Sequence, residues 1–99
     1  MTKRAIVDIV RAAALGSYGV LGLAPGGPLG ALRRRLGLGE PAIDVTLGGR
    51  LEVDLRLRLA DHLPQPEVAR QVDRAVRYAL RRALGRDADR LTIHVGWRR

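Results

Sequence analysis

The sequence has no cysteine and no phenylalanine, and its only aromatic side chains are Tyr18, Tyr78 and Trp97. Without cysteine there are no disulfides, no zinc–thiolate centres and no thiol nucleophiles. Serine occurs once (Ser17), threonine three times and histidine twice (His62, His94), a thin stock for nucleophilic or acid–base catalysis. Lysine is also scarce: one lysine stands against 17 arginines. Coding bias toward GC-rich codons accounts for arginine over lysine. It does not account for basic residues exceeding acidic ones by eight, an imbalance that favours acidic proteins, nucleic acids or anionic lipid as partners. At 99 residues the chain makes one domain. A domain of this size buries about two-thirds of its unfolded surface and is marginal alone, so association with a partner or a second copy is expected.

Long apolar runs are missing too. Ala12 to Leu32 is 21 residues without a charge, but six of them are glycine and two are proline. Its hydropathy falls far below that of a spanning helix, despite the four-residue spacing of Gly22, Gly26 and Gly30. No apolar block follows the basic start as in a signal peptide. The expected location is cytoplasmic, with any approach to the membrane made through a partner.

What is present reads as alternating elements. Residues 3 to 15 predict a helix with Ile6, Val10, Ala13 and Ala14 at helical spacing, Thr2 as N-cap and Gly16 as stop. An Arg4–Asp8 pair is expected on its outer face. Residues 16 to 42 read as irregular, and within them 22–42 is a Gly/Pro-rich variable loop. Pro28 to Leu36 could make a short basic helical piece carrying Arg33, Arg34 and Arg35.

The β signal follows. Ile43, Val45 and Leu47 alternate with Asp44 and Thr46. Leu51, Val53, Leu55, Leu57 and Leu59 alternate with Glu52, Asp54, Arg56 and Arg58, which predicts strands with one dry and one wet face. A two-residue loop at Gly48-Gly49 would set the dry faces on opposite sides. A three-residue loop, Gly48-Gly49-Arg50, pairs Leu47 with Leu51, Val45 with Val53 and Ile43 with Leu55. It carries a glycine-type bulge and sets Asp44 opposite Asp54. A five-residue loop would pair Asp44 with Arg56 instead; three residues is preferred.

Residues 66 to 84 predict the strongest helix. Val68, Val72, Ala75, Val76, Ala79, Leu80 and Ala83 form its apolar stripe, Pro66 opens it and Gly85 closes it. Arg70, Arg74, Arg77 and Arg81 line the opposite face, with Asp73 placed to pair with Arg77. Residues 91 to 97 predict a last strand, with Leu91, Ile93, Val95 and Trp97 facing one way and Thr92, His94 and Gly96 the other. The expected fold is α+β: a small three-stranded sheet in helix-strand-strand-helix-strand order, with both helices on one face and the other face solvated.

The search for chemistry returns little. Gly22 and Gly27 have the outer spacing of a nucleotide loop, but Pro28-Leu29 stands where Lys-Ser or Lys-Thr belongs. The surroundings of Ser17 lack the G-x-S-x-G pattern. His62 and His94 have no metal-ligand spacing. No catalytic residue, metal ligand, cofactor or small-molecule substrate is expected. A nucleic-acid interface through the helix arginines, Arg33–Arg35 and Arg98-Arg99 is the alternative. It has charge in its favour, but neither the aromatic pair nor the GXXG clamp of common RNA-binding modules.

Several segments together resemble the alkaline shock protein family. Ile9-Val10-Arg11-Ala12-Ala13-Ala14 followed by Tyr18-Gly19-Val20 is similar to its first helix and Gly-Val turn. Leu51-Glu52-Val53-Asp54-Leu55-Arg56-Leu57 followed by Gln65-Pro66-Glu67-Val68-Ala69 is similar to its strand and helix start. Val72, Val76 and Gly85 fall at further matching positions, and Leu91-Thr92-Ile93-His94-Val95 resembles its closing strand. The departures are Ala60-Asp61-His62-Leu63, where a Tyr-Gly pair often stands, and Thr92 in place of an asparagine. The resemblance implies a non-enzymatic bacterial scaffold or assembly protein of the envelope or general stress response. Such a protein would work through protein–protein contacts as a homo-oligomer or on a membrane-anchored partner. On that reading Arg70, Arg74, Arg77 and Arg81 are the candidate partner-binding face and Arg33, Arg34 and Arg35 a secondary basic cluster.

Overall fold

A computed structural model describes residues 2–23 and 42–95. The elements are α1 (Lys3–Leu15), β1 (Val20–Leu23), β2 (Ile43–Leu47), β3 (Leu51–Leu59), α2 (Gln65–Leu84) and β4 (Arg90–Val95). The Arg33–Arg35 cluster, most of the Gly/Pro-rich loop, Trp97, Arg98 and Arg99 lie outside the described residues.

The α+β architecture is as the sequence predicts, but the sheet has a fourth strand. Within the stretch expected to be irregular, β1 pairs antiparallel with the end of β3, Val20 with Leu59 and Leu23 with Leu57, through an irregularity between Val20 and Gly22. Four residues interrupted by a glycine give no alternation to read, so the strand exists through its pairing rather than its pattern. β2 and β3 form the hairpin with the three-residue loop, in the register Ile43–Leu55, Asp44–Asp54, Val45–Val53 and Leu47–Leu51. The turn is made without a left-handed glycine at Gly48 or Gly49, so the expected glycine-type bulge is absent. β4 runs parallel to β3, from Glu52–Arg90 to Leu57–Val95, and α2 is the crossover that a parallel pair requires. Leu55 pairs with both Ile43 and Ile93, and Leu57 with both Leu23 and Val95. β2 and β1 therefore follow one another along one edge of β3, and β4 takes the other edge.

α1 packs on α2, β2 and β1, and α2 also reaches β4. The core lies between this helical layer and the dry sheet face. Ile6, Val10 and Ala14 of α1 and Val68, Val72, Val76 and Leu80 of α2 meet Leu51, Val53, Leu55, Leu57 and Leu59 of β3, all buried. Each large side chain of this set contributes roughly 1.5–3 kcal/mol by leaving water. Leu91, Ile93 and Val95 are only half-buried. No described helix is long and apolar enough to cross a membrane.

The caps follow the sequence. The Thr2 hydroxyl accepts from the Ala5 N–H at 3.1 Å, satisfying one of the free donors at the start of α1. Gly85 ends α2 in the left-handed region at φ 73°, where glycine carries no Cβ penalty. Gly19 has φ 91°, and a Cβ there would stand 2.9 Å from Leu63 Cδ1 and 3.1 Å from Val68. The turn from α1 into β1 thus needs glycine for two independent reasons, conformation and space. One helix pairing differs from expectation: Asp8 accepts from Arg11 at 3.3 Å, three residues ahead, rather than from Arg4.

Candidate functional site

Two surfaces carry the charge that the sequence singles out: the outer face of α2 and the open face of the sheet. On α2 the four arginines do not form one free stripe. Arg77 is only 28% exposed and donates to Asp73 at 2.9 Å, to Asp87 at 3.1 Å and to the Ala88 carbonyl at 3.1 Å. Arg81 donates to Asp87 at 3.1 Å, and Arg70 to Glu67 at 2.6 Å. Arg74 is exposed and makes no hydrogen bond or ion pair among the described residues, reaching Glu67 only through its electrostatic field. The Asp73–Arg77 pair is the i,i+4 contact expected from spacing. Asp87 and Ala88 are sequence-distant partners that periodicity within the helix could not reveal.

These contacts make Arg77 a clamp holding the loop before β4 against the helix. Burial disfavours the charged Arg77, but Asp73 and then Asp87 outweigh it and raise its pKa. Burial likewise pushes Asp87 up, and the Ala88 N–H, Arg77 and Arg81 together bring it below its ordinary value. Next in the chain, Asp89 ties that loop to the start of β3. The Leu51 N–H donates to Asp89 Oδ2 at 2.6 Å, and the Asp89 N–H donates to the Leu51 carbonyl at 2.7 Å. The Leu51 N–H is the main reason the Asp89 carboxyl titrates low, with Arg86 and Arg50 adding to it. Glu67 is lowered by its bond from Arg70.

The open sheet face is built differently. Because the register is fixed by the dry face, every even-numbered residue of β3 points to solvent with its strand partners. Thr46, Glu52 and Arg90 form one row, Asp44, Asp54 and Thr92 the next, and Arg56 stands beside His94 in the third; Arg58 follows beside Gly22. Along β3 the face therefore runs from acidic to basic. Asp8, Glu52, Glu67, Asp73, Asp87 and Asp89 each hold an arginine. Among the described residues Asp44, Asp54 and Asp61 hold none, and Asp44 and Asp54 lie side by side. Among the described residues Asp54 has only His94, 3.8 Å away, an ion pair only when the imidazole carries a proton. Arg56 and Arg58, on the same face, are exposed and hold no described carboxylate. The sequence showed this face to be wet; that Asp44, Arg56 and Arg58 on it hold no opposite charge among the described residues needed the side-chain geometry. No group of three or more His, Asp or Glu among the described residues is placed to hold a metal ion.

No protein-family model matches the chain, and no curated protein matches it in sequence. Solved structures do share its fold. The C-terminal domain of MamM is 14% identical with a TM-score of 0.59, covering 98% of this chain and 100% of that one. A manganese form of a variant of that domain is 15% identical with a TM-score of 0.58, covering 98% and 100%. A MamM variant with valine replaced by arginine is 16% identical with a TM-score of 0.56, covering 97% and 85%. At these identities the likeness is one of fold.

Proposed function

We propose that this chain is a non-enzymatic protein-interaction module, a scaffold or assembly protein of the alkaline shock type, which acts through its open sheet face. The observation that carries this reading is the set of exposed charges on that face, Asp44, Asp54, Arg56 and Arg58, which among the described residues form no ion pair with an arginine, aspartate or glutamate. A partner that supplies counter-charges would complete them, as interface charges set specificity and register. The resemblance supports the same reading, because its segments fall on α1, β3, the start of α2 and β4. The envelope or general stress response, a bacterial source and a membrane-anchored partner come from that resemblance. The α2 arginines contribute less than their number suggests, since Arg70, Arg77 and Arg81 already hold carboxylates. That same pairing weakens the nucleic-acid alternative, which relies on arginines free for phosphate.

Photo-crosslinking in the native cell tests the reading. A crosslinking amino acid placed at Thr46 or Thr92 on the sheet face should give protein adducts, and one at Arg74 on α2 should give few. Adducts to RNA or DNA, or protein adducts only from α2, would overturn it.

A further inference from the structure

The open face is self-complementary, and we infer that its partner is a second copy of this chain, laid face to face with β3 antiparallel to β3. This rests on reading that face as the interaction surface. Residues 1–42 sum to +4, residues 43–63 to −1 and residues 64–99 to +5. Two copies of so basic a protein repel over most of their surface, and the hairpin region is where they do not. On the face itself Asp44, Glu52 and Asp54 balance Arg56, Arg58 and Arg90, so it is neutral overall but polar along its length.

A two-fold axis crossing β3 at Leu55 relates these halves. Alternate residues on a strand face are about 7 Å apart, and packed sheets lie about 10 Å apart. With the axis at Leu55, position 54 lies over position 56 of the copy and position 52 over position 58. The copy's Arg56 then meets the Asp44–Asp54 pair, and the copy's Arg58 meets Glu52. Isologous symmetry repeats each contact. Asp44 and Asp54, a like-charged pair directly across the hairpin, cost stability in the isolated copy, and one arginine serves both. The axis keeps strand directions aligned, as in sheet sandwiches. The face measures roughly 15 by 30 Å, about 450 Å² per copy, below the roughly 800 Å² of a standard interface. The dimer is accordingly weak and reversible.

The test uses two full-length variants and sedimentation velocity. Asp44→Lys with Asp54→Lys makes the face wholly basic at its centre. Arg56→Glu with Arg58→Glu makes every β3 charge on it acidic, leaving Arg90 at one end. Far-UV circular dichroism confirms folding, and Arg56→Ala with Arg58→Ala is the milder variant should either reversal disturb the hairpin. Wild type should show a concentration-dependent dimer. Each reversed variant alone, and the alanine variant, should dimerise more weakly. An equal mixture of the two reversed variants should associate at least on the order of a hundredfold more tightly than either alone. A wild type that stays monomeric, or folded reversed variants that dimerise like wild type and gain nothing on mixing, overturns the second copy as occupant. In-cell adducts from the sheet face to a different protein would then leave the interaction reading standing.

Discussion

Replacing Arg77 by alanine separates a structural arginine from a free one on the same helix. Arg77 loses three bonds: to Asp73 at 2.9 Å, to Asp87 at 3.1 Å and to the Ala88 carbonyl at 3.1 Å. The carboxylates are partly solvated, with side chains 36% and 39% exposed, so each ion pair counts as a screened surface pair of about 0.2–1 kcal/mol. The third bond serves a buried residue, Ala88 at 5% exposure, and such a bond contributes about 0.5–1.5 kcal/mol. Asp87 keeps Arg81 and the Ala88 N–H, so no bare buried charge is added. The total is about 2 kcal/mol, which in a domain of this size lowers Tm by about 10 °C. Arg74→Ala, with no bond to lose among the described residues, should stay within about 0.5 kcal/mol of wild type. Urea unfolding followed by circular dichroism measures both. Equal stabilities for the two variants would refute the clamp.

Four further outcomes follow from the same geometry. Gly19→Ala meets both a left-handed φ and Leu63 and Val68 in its path, and should cost about 2–3 kcal/mol in urea unfolding. Gly85→Ala, left-handed but with open space around it, should cost only about 1 kcal/mol. Asp87 and Asp89 are both lowered in the folded protein. Their contribution is thus complete above the ordinary carboxylate pKa of about 4 and lost as pH falls through their lower folded values. Midpoints of thermal unfolding should accordingly drop on acidification below about pH 4, and less steeply in Asp89→Asn. Val72→Ala, fully buried beneath the sheet, should cost about 2–4 kcal/mol, visible as a lower urea midpoint.

How much of this is legible in the sequence depends on whether a residue's role is set by its near neighbours. The hairpin register was legible because a one-residue slip would carry Val45 and Val53 to the wet side. The long helix was legible because Val68, Val72, Val76 and Leu80 recur at its period. β1 was not, because Val20–Leu23 takes its form from the end of β3, far along the chain. Nor was the fate of Arg77, whose partners Asp87 and Ala88 arrive only when α2 folds back toward β4. For the same reason the basic face read from α2 is partly neutralised, while Asp44, Arg56 and Arg58 on the open face of β2 and β3 hold no opposite charge among the described residues, where net charge gave no hint of them. Arg4 and Asp8 show the limit within one helix: spacing allowed the pair, and Arg11 was taken instead.

The central claim is that the open sheet face is the working surface and that a second copy fits it. A dilution series of amide NMR spectra on the full chain reads this residue by residue. From about 1 mM downward, the range of a weak dimer, the signals of Asp44, Glu52, Asp54, Arg56, Arg58 and His94 should shift with concentration, and those of Arg70 and Arg74 should not. Shifts confined to α2, or none across the series, would contradict the account.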